Sequence, residues 1–196
     1  MKKIMFSLVP ILVCSSIVFA NDTSKDMSTA DVLKGTGLYV GAGYGYYNQS
    51  SDLSGADATV QTVMFDLGIE ANKYLDFEWR YWLGVTDPDT DLGSVNGDHY
   101  SWGGYIKPKY PVAEMAEVYA LLGYAQNSIN FKNGAGNTFM DGFSWGLGAS
   151  YLLNKNISFA LDYVNMGTQS STSLDGHDFD YDMNAYTVNI GVNYKF

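Results

Sequence analysis

Cysteine is nearly absent. The single residue, Cys14, excludes an internal disulfide framework. Proline is scarce, with four residues, so few strands are interrupted. Basic residues are few: eleven Lys and Arg stand against twenty-one Asp and Glu, for a formal net charge of −10. Such an acidic balance excludes the usual nucleic-acid-binding surface. Beyond the N-terminal leader, no window holds the ~18 consecutive apolar residues of a spanning helix. Histidine appears twice, as His99 and His177, which leaves little material for triad chemistry. Aromatics and glycine are plentiful, with 16 Tyr, 10 Phe, 4 Trp and 21 Gly. Mean hydropathy is −0.10 because apolar and polar residues alternate rather than cluster.

The N-terminus reads as a secretory leader. Lys2 and Lys3 precede an apolar run from Ile4 to Phe19, and Val18-Phe19-Ala20 is a small-x-small cleavage site. Residues 1–20 are therefore expected to be removed, taking Cys14 with them. An anchoring helix fits less well, since the run is short and contains Pro10. A lipoprotein would need small residues before Cys14, where Ile11-Leu12-Val13 stands. Residues 21–34 are polar and read as a periplasmic lead-in, leaving 35–196 as one domain.

That domain alternates with a period of two, which places successive side chains on opposite faces of a strand. The C-terminal stretch is the clearest case: Val188, Ile190, Val192, Tyr194 and Phe196 oppose Thr187, Asn189, Gly191, Asn193 and Lys195. Seven further segments behave alike, starting near Leu38, Thr62, Leu75, Tyr100, Glu117, Phe143 and Ile157. Facing is ambiguous only in the fifth, where Tyr119 and Leu121 alternate with Val118, Ala120 and Leu122. Connectors alternate in length. Short ones lie near 72–73, 111–114 and 154–155, and long ones at about 48–58, 86–98, 126–138 and 167–182. Eight strands, short turns on one side and long loops on the other predict an all-β, eight-stranded antiparallel up-and-down transmembrane barrel. A soluble lipocalin-like barrel or sandwich would turn the apolar sides inward. Here the opposite sides carry Asp66, Glu70, Glu78, Arg80, Lys107 and Asp162 beside many glycines. The apolar sides carry two aromatic belts: Tyr44, Tyr46, Tyr100, Trp102, Tyr124, Trp145, Tyr163 and Tyr186, then Phe77, Tyr110, Tyr151, Tyr194 and Phe196. Belts around an aliphatic band are a membrane pattern.

A short internal match lines up residues 72–81 with 154–163, each a turn followed by a strand. Arg80 and Asp162 fall at equivalent places, on strands three and seven, across an eight-stranded barrel from each other. An interior charge network of Asp66, Glu70, Glu78, Arg80, Lys107, Glu117 and Asp162 follows, with Asp76, Lys109 and Lys195 nearby. An eight-stranded barrel is only wide enough for side chains to fill, so the network is first a structural device and second a possible gated pore. The glycines at 41, 43 and 45 are expected to make room for large inward neighbours such as Met64 and Trp82. As a phosphate loop they are weak, since no helix pattern follows.

Two other constellations bear on chemistry. Asp87, Asp89, Asp91 and Asp98 have some calcium-loop spacing, but Leu92 stands where glycine belongs and an Asp closes the loop. A solvated acidic loop is the better reading, as it is for Asp175, Asp178, Asp180 and Asp182 around His177. His99-Tyr100-Ser101 has the spacing of a His/Ser pair, yet the next acid, Glu114, is expected near the opposite membrane face. A nucleophile needs its base and orienting acid within reach.

The chain resembles the small eight-stranded outer-membrane proteins of the OmpA-like, OmpX/Ail and opacity-protein group over about 35–196. The likeness rests on Leu38-Tyr39-Val40-Gly41-Ala42-Gly43-Tyr44-Gly45, on Phe159-Ala160-Leu161-Asp162-Tyr163 and on Asn189-Ile190-Gly191-Val192-Asn193-Tyr194-Lys195-Phe196. The resemblance implies the bacterial outer membrane, a terminal strand that closes the barrel, and assembly machinery that reads Tyr194 and Phe196. It implies contact with outer-membrane lipids and lipopolysaccharide, no cofactor, and a monomer. The expected role is a non-catalytic surface protein whose loops meet host or cell-surface ligands or maintain the envelope. A narrow channel is the alternative. Some barrels of this size deacylate lipid A with a His-x-Ser pair, which makes His99 and Ser101 a remote enzyme candidate. The group's peptidoglycan-binding attachment is not expected, since the sequence ends at the barrel.

Overall fold

Alternation becomes a wall because each strand presents one face to lipid and one to the interior. The computed structural model describes residues 36–51, 57–90, 93–94, 97–131, 137–167, 171–174, 177–180 and 183–196. The leader and lead-in at 1–34 lie outside the described residues. The described strands are β1 (Leu38–Ser51), β2 (Ala58–Asn72), β3 (Leu75–Gly84), β4 (Asp89–Thr90), β5 (Gly93–Ser94) and β6 (Gly97–Ala113). They continue with β7 (Ala116–Phe131), β8 (Asn137–Leu152), β9 (Ile157–Asn165), β10 (Ser171–Leu174), β11 (His177–Asp180) and β12 (Met183–Lys195).

Eight of these form one closed antiparallel wall in the order β1-β12-β9-β8-β7-β6-β3-β2, with β2 returning to β1. The closing seam pairs Tyr39 with Lys195 and runs to Ser51 opposite Met183. Phe196 adds a last bond, its N–H donating to the Leu38 carbonyl at 3.0 Å. Closure leaves no barrel edge open for pairing. The short β4–β5 pair extends from β2, while β10 and β11 form a separate hairpin.

The ladders outrun the sequence-based strands at the loop end. β7 continues to Phe131 and β8 starts at Asn137, so the third long connector shrinks to 132–136. Pairing persists because antiparallel bonds do not need lipid: Ser128 and Asn130 continue the polar alternation around inward Ile129. At the other end, bulges fall between Glu70 and Asn72 and between Pro111 and Ala113, where strands turn. Pro108 lies opposite Leu75 of β3, but the β6–β7 register passes from Ile106 opposite Leu122 to Lys109 opposite Tyr119. Proline has no N–H for that ladder.

Burial follows the membrane reading. Leu67, Phe77, Leu122, Leu147, Leu161 and Ile190 are exposed on the outer face, while Asp66, Glu78, Arg80 and Asp162 are buried. The ambiguous fifth segment resolves with Tyr119 and Leu121 inward and Val118 and Leu122 outward. The belts carry ring contacts: Trp79 stacks on Trp102 at 4.8 Å, and Tyr163 lies 5.9 Å from Trp145 and 5.4 Å from Tyr186.

Candidate functional site: the barrel interior and its two ends

The interior divides into three levels. At mid-height two carboxylates collect donors from opposite walls. Glu78 accepts from Tyr39 Oη at 2.5 Å, Arg80 Nε at 2.5 Å and Lys107 Nζ at 2.6 Å. Asp162 accepts from Arg80 Nη2 at 2.9 Å, Tyr119 Oη at 2.7 Å and Asn189 Nδ2 at 2.8 Å. Two carboxylates and two cations balance within the cluster, and each carboxylate has three donors. That arrangement lets charge persist at a buried site. Lys107 Nζ also lies 4.4 Å from the Tyr119 ring centroid and 5.2 Å from that of Tyr39. A cation facing two aromatic rings gains further attraction.

Two glycines make those tyrosine positions possible. A Cβ at Gly68 would collide with the Tyr39 ring, and one at Gly148 with the Tyr119 ring. Bare backbone lets each ring lie close against the wall and carry its hydroxyl to a central carboxylate. The expected partners of the β1 glycines are only partly found. Gly43 faces Met64, but Gly41 faces Asp66 and Asn193, and Gly45 faces Thr62 and Asn189. Trp82 instead donates its Nε1 to Asn189 Oδ1 at 2.9 Å.

The seven residues read as one network separate in height. Glu70 belongs to the inner mouth, where it meets Lys109 and Lys195 at 2.8 Å each, and Lys109 also reaches Asp76 at 2.9 Å. Among the described ion pairs neither Asp66 nor Glu117 takes part. Asp66 is buried opposite Arg80 in the β2–β3 register, with Oδ1 lacking a hydrogen-bond partner. Glu117 accepts from Ser150 Oγ at 3.0 Å. Distance from the short turns sets the height: Glu70 and Glu117 lie beside turns, whereas Asp66 shares the level of Arg80. Sequence reading omitted Tyr39, Tyr119 and Asn189 from the network, although alternation already placed Tyr39 and Asn189 inward; Tyr119 lay on the strand whose facing was ambiguous.

The outer half holds a large apolar cluster among buried polar groups such as Thr62, Asn127 and Thr187, which alternation with glycines and charges did not foretell. Tyr47, Val60, Met64, Trp82, Leu121, Ile129, Met140, Val164 and Met166 are all buried in one cluster. Met166 arrives there because the chain leaves the wall at Asn165 and turns at Gly167, whose φ is 104°. Met166 N–H donates to the Ala185 carbonyl at 2.8 Å, and Ser144 Oγ donates to the Asn165 carbonyl at 2.6 Å.

His99 and Ser101 sit beside this cluster. Their Nε2 and Oγ lie 2.9 Å apart, so the pair forms. His99 Nδ1 has no partner, the ring lies 4.1 Å from that of Tyr47, and Ser101 is 0% exposed. Among the described residues no acid orients the imidazole. Of the calcium candidates, Asp91 lies outside the described residues. Asp87 Oδ1 accepts the Gly97 N–H at 3.4 Å, and Asp89 and Asp98 are exposed. Among the described residues no three His, Cys, Asp or Glu side chains are placed to hold a metal ion. Asp175 and Asp182 lie outside the described residues, and only the backbone is described around Asp178 and Asp180.

A closed eight-stranded wall, apolar outside and charged within, defines an outer-membrane barrel. The chain belongs to that family: the model of the outer membrane protein beta-barrel domain matches residues 11–196. It is similar to the 31 kDa outer-membrane immunogenic protein of Brucella melitensis, at 21% identity across the whole of both chains. Solved structures agree on the fold. Neisserial surface protein A matches with a TM-score of 0.58 at 18% identity, covering 82% of this chain and 97% of that one. Ail of Yersinia pestis, in complex with the heparin analogue sucrose octasulfate, matches at 0.56 and 16%, covering 81% and 97%. The outer-membrane protein AlkL matches at 0.57 and 15%, covering 90% and 95%. The protein is thus placed in the bacterial outer membrane.

Proposed function

We propose that the protein is a non-catalytic surface protein that works through its outer connectors, with the barrel as a rigid, filled support. The observation that carries this reading is the filling itself. A balanced ionic layer at mid-height lies below an apolar layer built from Trp82, Leu121, Met140 and Met166. A barrel sealed twice has its variable surface only where the connectors emerge, and connectors on a rigid scaffold are where binding function gathers. Closure of the sheet also supports a monomer. Lipopolysaccharide around the outer aromatic belt and assembly machinery at Tyr194 and Phe196 complete the set of contacts.

The charge of the outer end narrows the partner. The long connectors and the adjoining start of β8 carry eleven aspartates against one basic residue, Lys132. Such a surface attracts basic patches and repels polyanions. Ail was crystallised with a sulfated heparin analogue; this chain has the opposite electrostatic preference, so the partner we propose is a cationic protein surface. The test is binding of intact cells to immobilised basic and sulfated matrices, with and without the four connectors shortened. Equal binding by both cell types would remove the proposal.

A narrow channel is the second reading, favoured by the central Glu78–Arg80–Asp162 ionic layer, whose pairs could rearrange to let an ion pass. The lipid A-modifying reading has weaker support, since His99 and Ser101 are buried inward with no orienting acid among the described residues.

A further inference from the structure

The outer face of the wall is notched where β6 meets β7, near the short-turn end. Tyr110 of the inner belt, Val118 and Leu147 stand around the notch, all exposed. Between them lie Pro108 and Ala120, whose small side chains leave a groove of about 530 Å³. Lys109, Tyr119 and Gly148 also line it. The first two turn their side chains inward and the third has none, so the floor reaches the backbone of the wall. A break in the ladder coincides with the notch. Lys109 N–H donates to the Tyr74 carbonyl at 2.9 Å on the β3 side, so the neighbouring Pro108 faces β7. Its ring offers no N–H there, and the β6–β7 register skips from Ile106–Leu122 to Lys109–Tyr119. A cation stands close by. The Tyr74 ring stacks on that of Tyr110 with centroids 6.4 Å apart, and Lys73 Nζ lies 4.7 Å from the Tyr74 centroid. Lys73 and both rings are exposed.

We propose that this notch seats one acyl chain of an inner-leaflet phospholipid, whose phosphate is held at Lys73 beside the Tyr74–Tyr110 stack. The occupant follows from position. The wall lies in the outer membrane, and Tyr110 marks the level where head groups meet hydrocarbon. A cation at that level attracts a lipid phosphate. Just inside it, a lipid tail fills the groove. The hydrophobic effect does not distinguish a seated tail from a free one, because lipid tails are as apolar as the wall. Packing does: a tail in a groove touches the wall on several sides, and a tail on a smooth face touches it on one. The groove also falls within the ~300–1,000 Å³ of sites that hold small ligands. It faces lipid and not the outer connectors, so it stands independently of the surface role proposed above.

The test is native mass spectrometry of the full mature chain in a neutral polyoxyethylene detergent, titrated with dioleoyl phosphatidylethanolamine. The wild type is expected to retain one lipid saturably. Ala120→Leu fills the notch and is expected to weaken that binding at least about tenfold. Lys73→Gln is expected to weaken it about fivefold, the worth of one interfacial cation. Ala42→Leu, on the outward face of β1 across the barrel from β7, leaves it unchanged. Glycerophosphoethanolamine, the same head group without chains, is expected not to bind. The heat-dependent gel shift of each variant establishes that the barrel is folded. The proposal is overturned if the folded wild type retains no lipid saturably, or if Ala120→Leu or Lys73→Gln binds as tightly as the wild type. It is overturned equally if Ala42→Leu loses as much as Ala120→Leu, or if the chainless head group binds as well as the lipid. A dimer that Ala120→Leu dissociates would also overturn it, since a second copy would then cover the notch.

Discussion

Arg80 and Asp162 stand at equivalent places of two matching ten-residue stretches, and their side chains meet across the barrel at 2.9 Å. The stretches start alike: Asn72 Oδ1 accepts the Tyr74 N–H at 2.9 Å and Asn154 Oδ1 accepts the Asn156 N–H at 2.8 Å. Each side-chain turn sets the register of the strand that follows. Arg80 on β3 and Asp162 on β9 then reach the axis from opposite walls. Both side chains are 2% exposed, so neither charge has water as an alternative partner. Removing one partner of such a buried pair costs about 3–5 kcal/mol, because the other charge stays buried. Arg80→Ala is therefore expected to lower the unfolding free energy of the barrel in detergent by about 3–5 kcal/mol, read as a fall in the urea midpoint. An unchanged midpoint would show that the pair carries no stability.

Asp66 should behave in the opposite way. It is buried, lies outside the ion pairs, and leaves Oδ1 without a hydrogen-bond partner. A buried polar group without its bonds is a cost to the fold. Asp66→Asn keeps the shape and removes the charge, so the variant is expected to match or exceed wild-type stability. Glu78→Gln, which breaks contacts with Arg80 and Lys107, should lose several kcal/mol in the same measurement. If Asp66→Asn were the more damaging of the two, the division of the interior drawn above would be wrong.

Much of this was legible because a membrane barrel writes its two faces into alternate residues. Val188 to Phe196 announced a strand with a lipid side, and Arg80 and Asp162 were placed opposite each other by strand count alone. What was passed over was height along the axis. Glu70 lies next to the turn at 72–73 and opposite Asp76, whereas Glu78 lies farther along β3 opposite Gly68, so one sits at the mouth and the other toward the centre. Tyr119 and Leu121 were ambiguous since both faces of their strand are apolar. Met166 was invisible as an interior residue, for its position depends on β9 ending at Asn165 and on the turn at Gly167.

Conductance separates the two functional readings. If both layers seal the lumen, planar bilayers holding the purified chain should show no steady channel. Substituting the central layer alone, as in Lys107→Ala, should not open one, since Trp82, Leu121 and Met166 still fill the level above. Steady openings in the wild type that change with Arg80 or Lys107 would favour the channel.

The acidic outer end makes a prediction about ligands. Cells bearing the protein should gain no binding to a sulfated heparin analogue at physiological salt, where charges act over ~8 Å. They should gain binding to a basic protein surface that fades as salt rises. Replacing Asp87, Asp89 and Asp98 by Asn should weaken the second effect without touching barrel stability, since exposed side chains of this kind contribute little. Binding of the sulfated analogue by the wild type would reverse the electrostatic argument.

Phe196 can be tested apart from the fold. Its N–H makes the last bond of the closing seam, and its ring meets Tyr194 edge-on at 5.2 Å. The seam beside it runs from Tyr39–Lys195 to Ser51–Met183, so one terminal residue adds little to its total pairing. Deleting Phe196 should therefore leave refolding in detergent nearly intact while lowering the amount assembled in cells, if the terminal aromatic serves recognition by the assembly machinery. Comparing the heat-dependent gel shift of refolded protein with that of isolated outer membranes reads the two effects separately. Equal losses in both would assign the residue to the stability of the seam and not to its recognition.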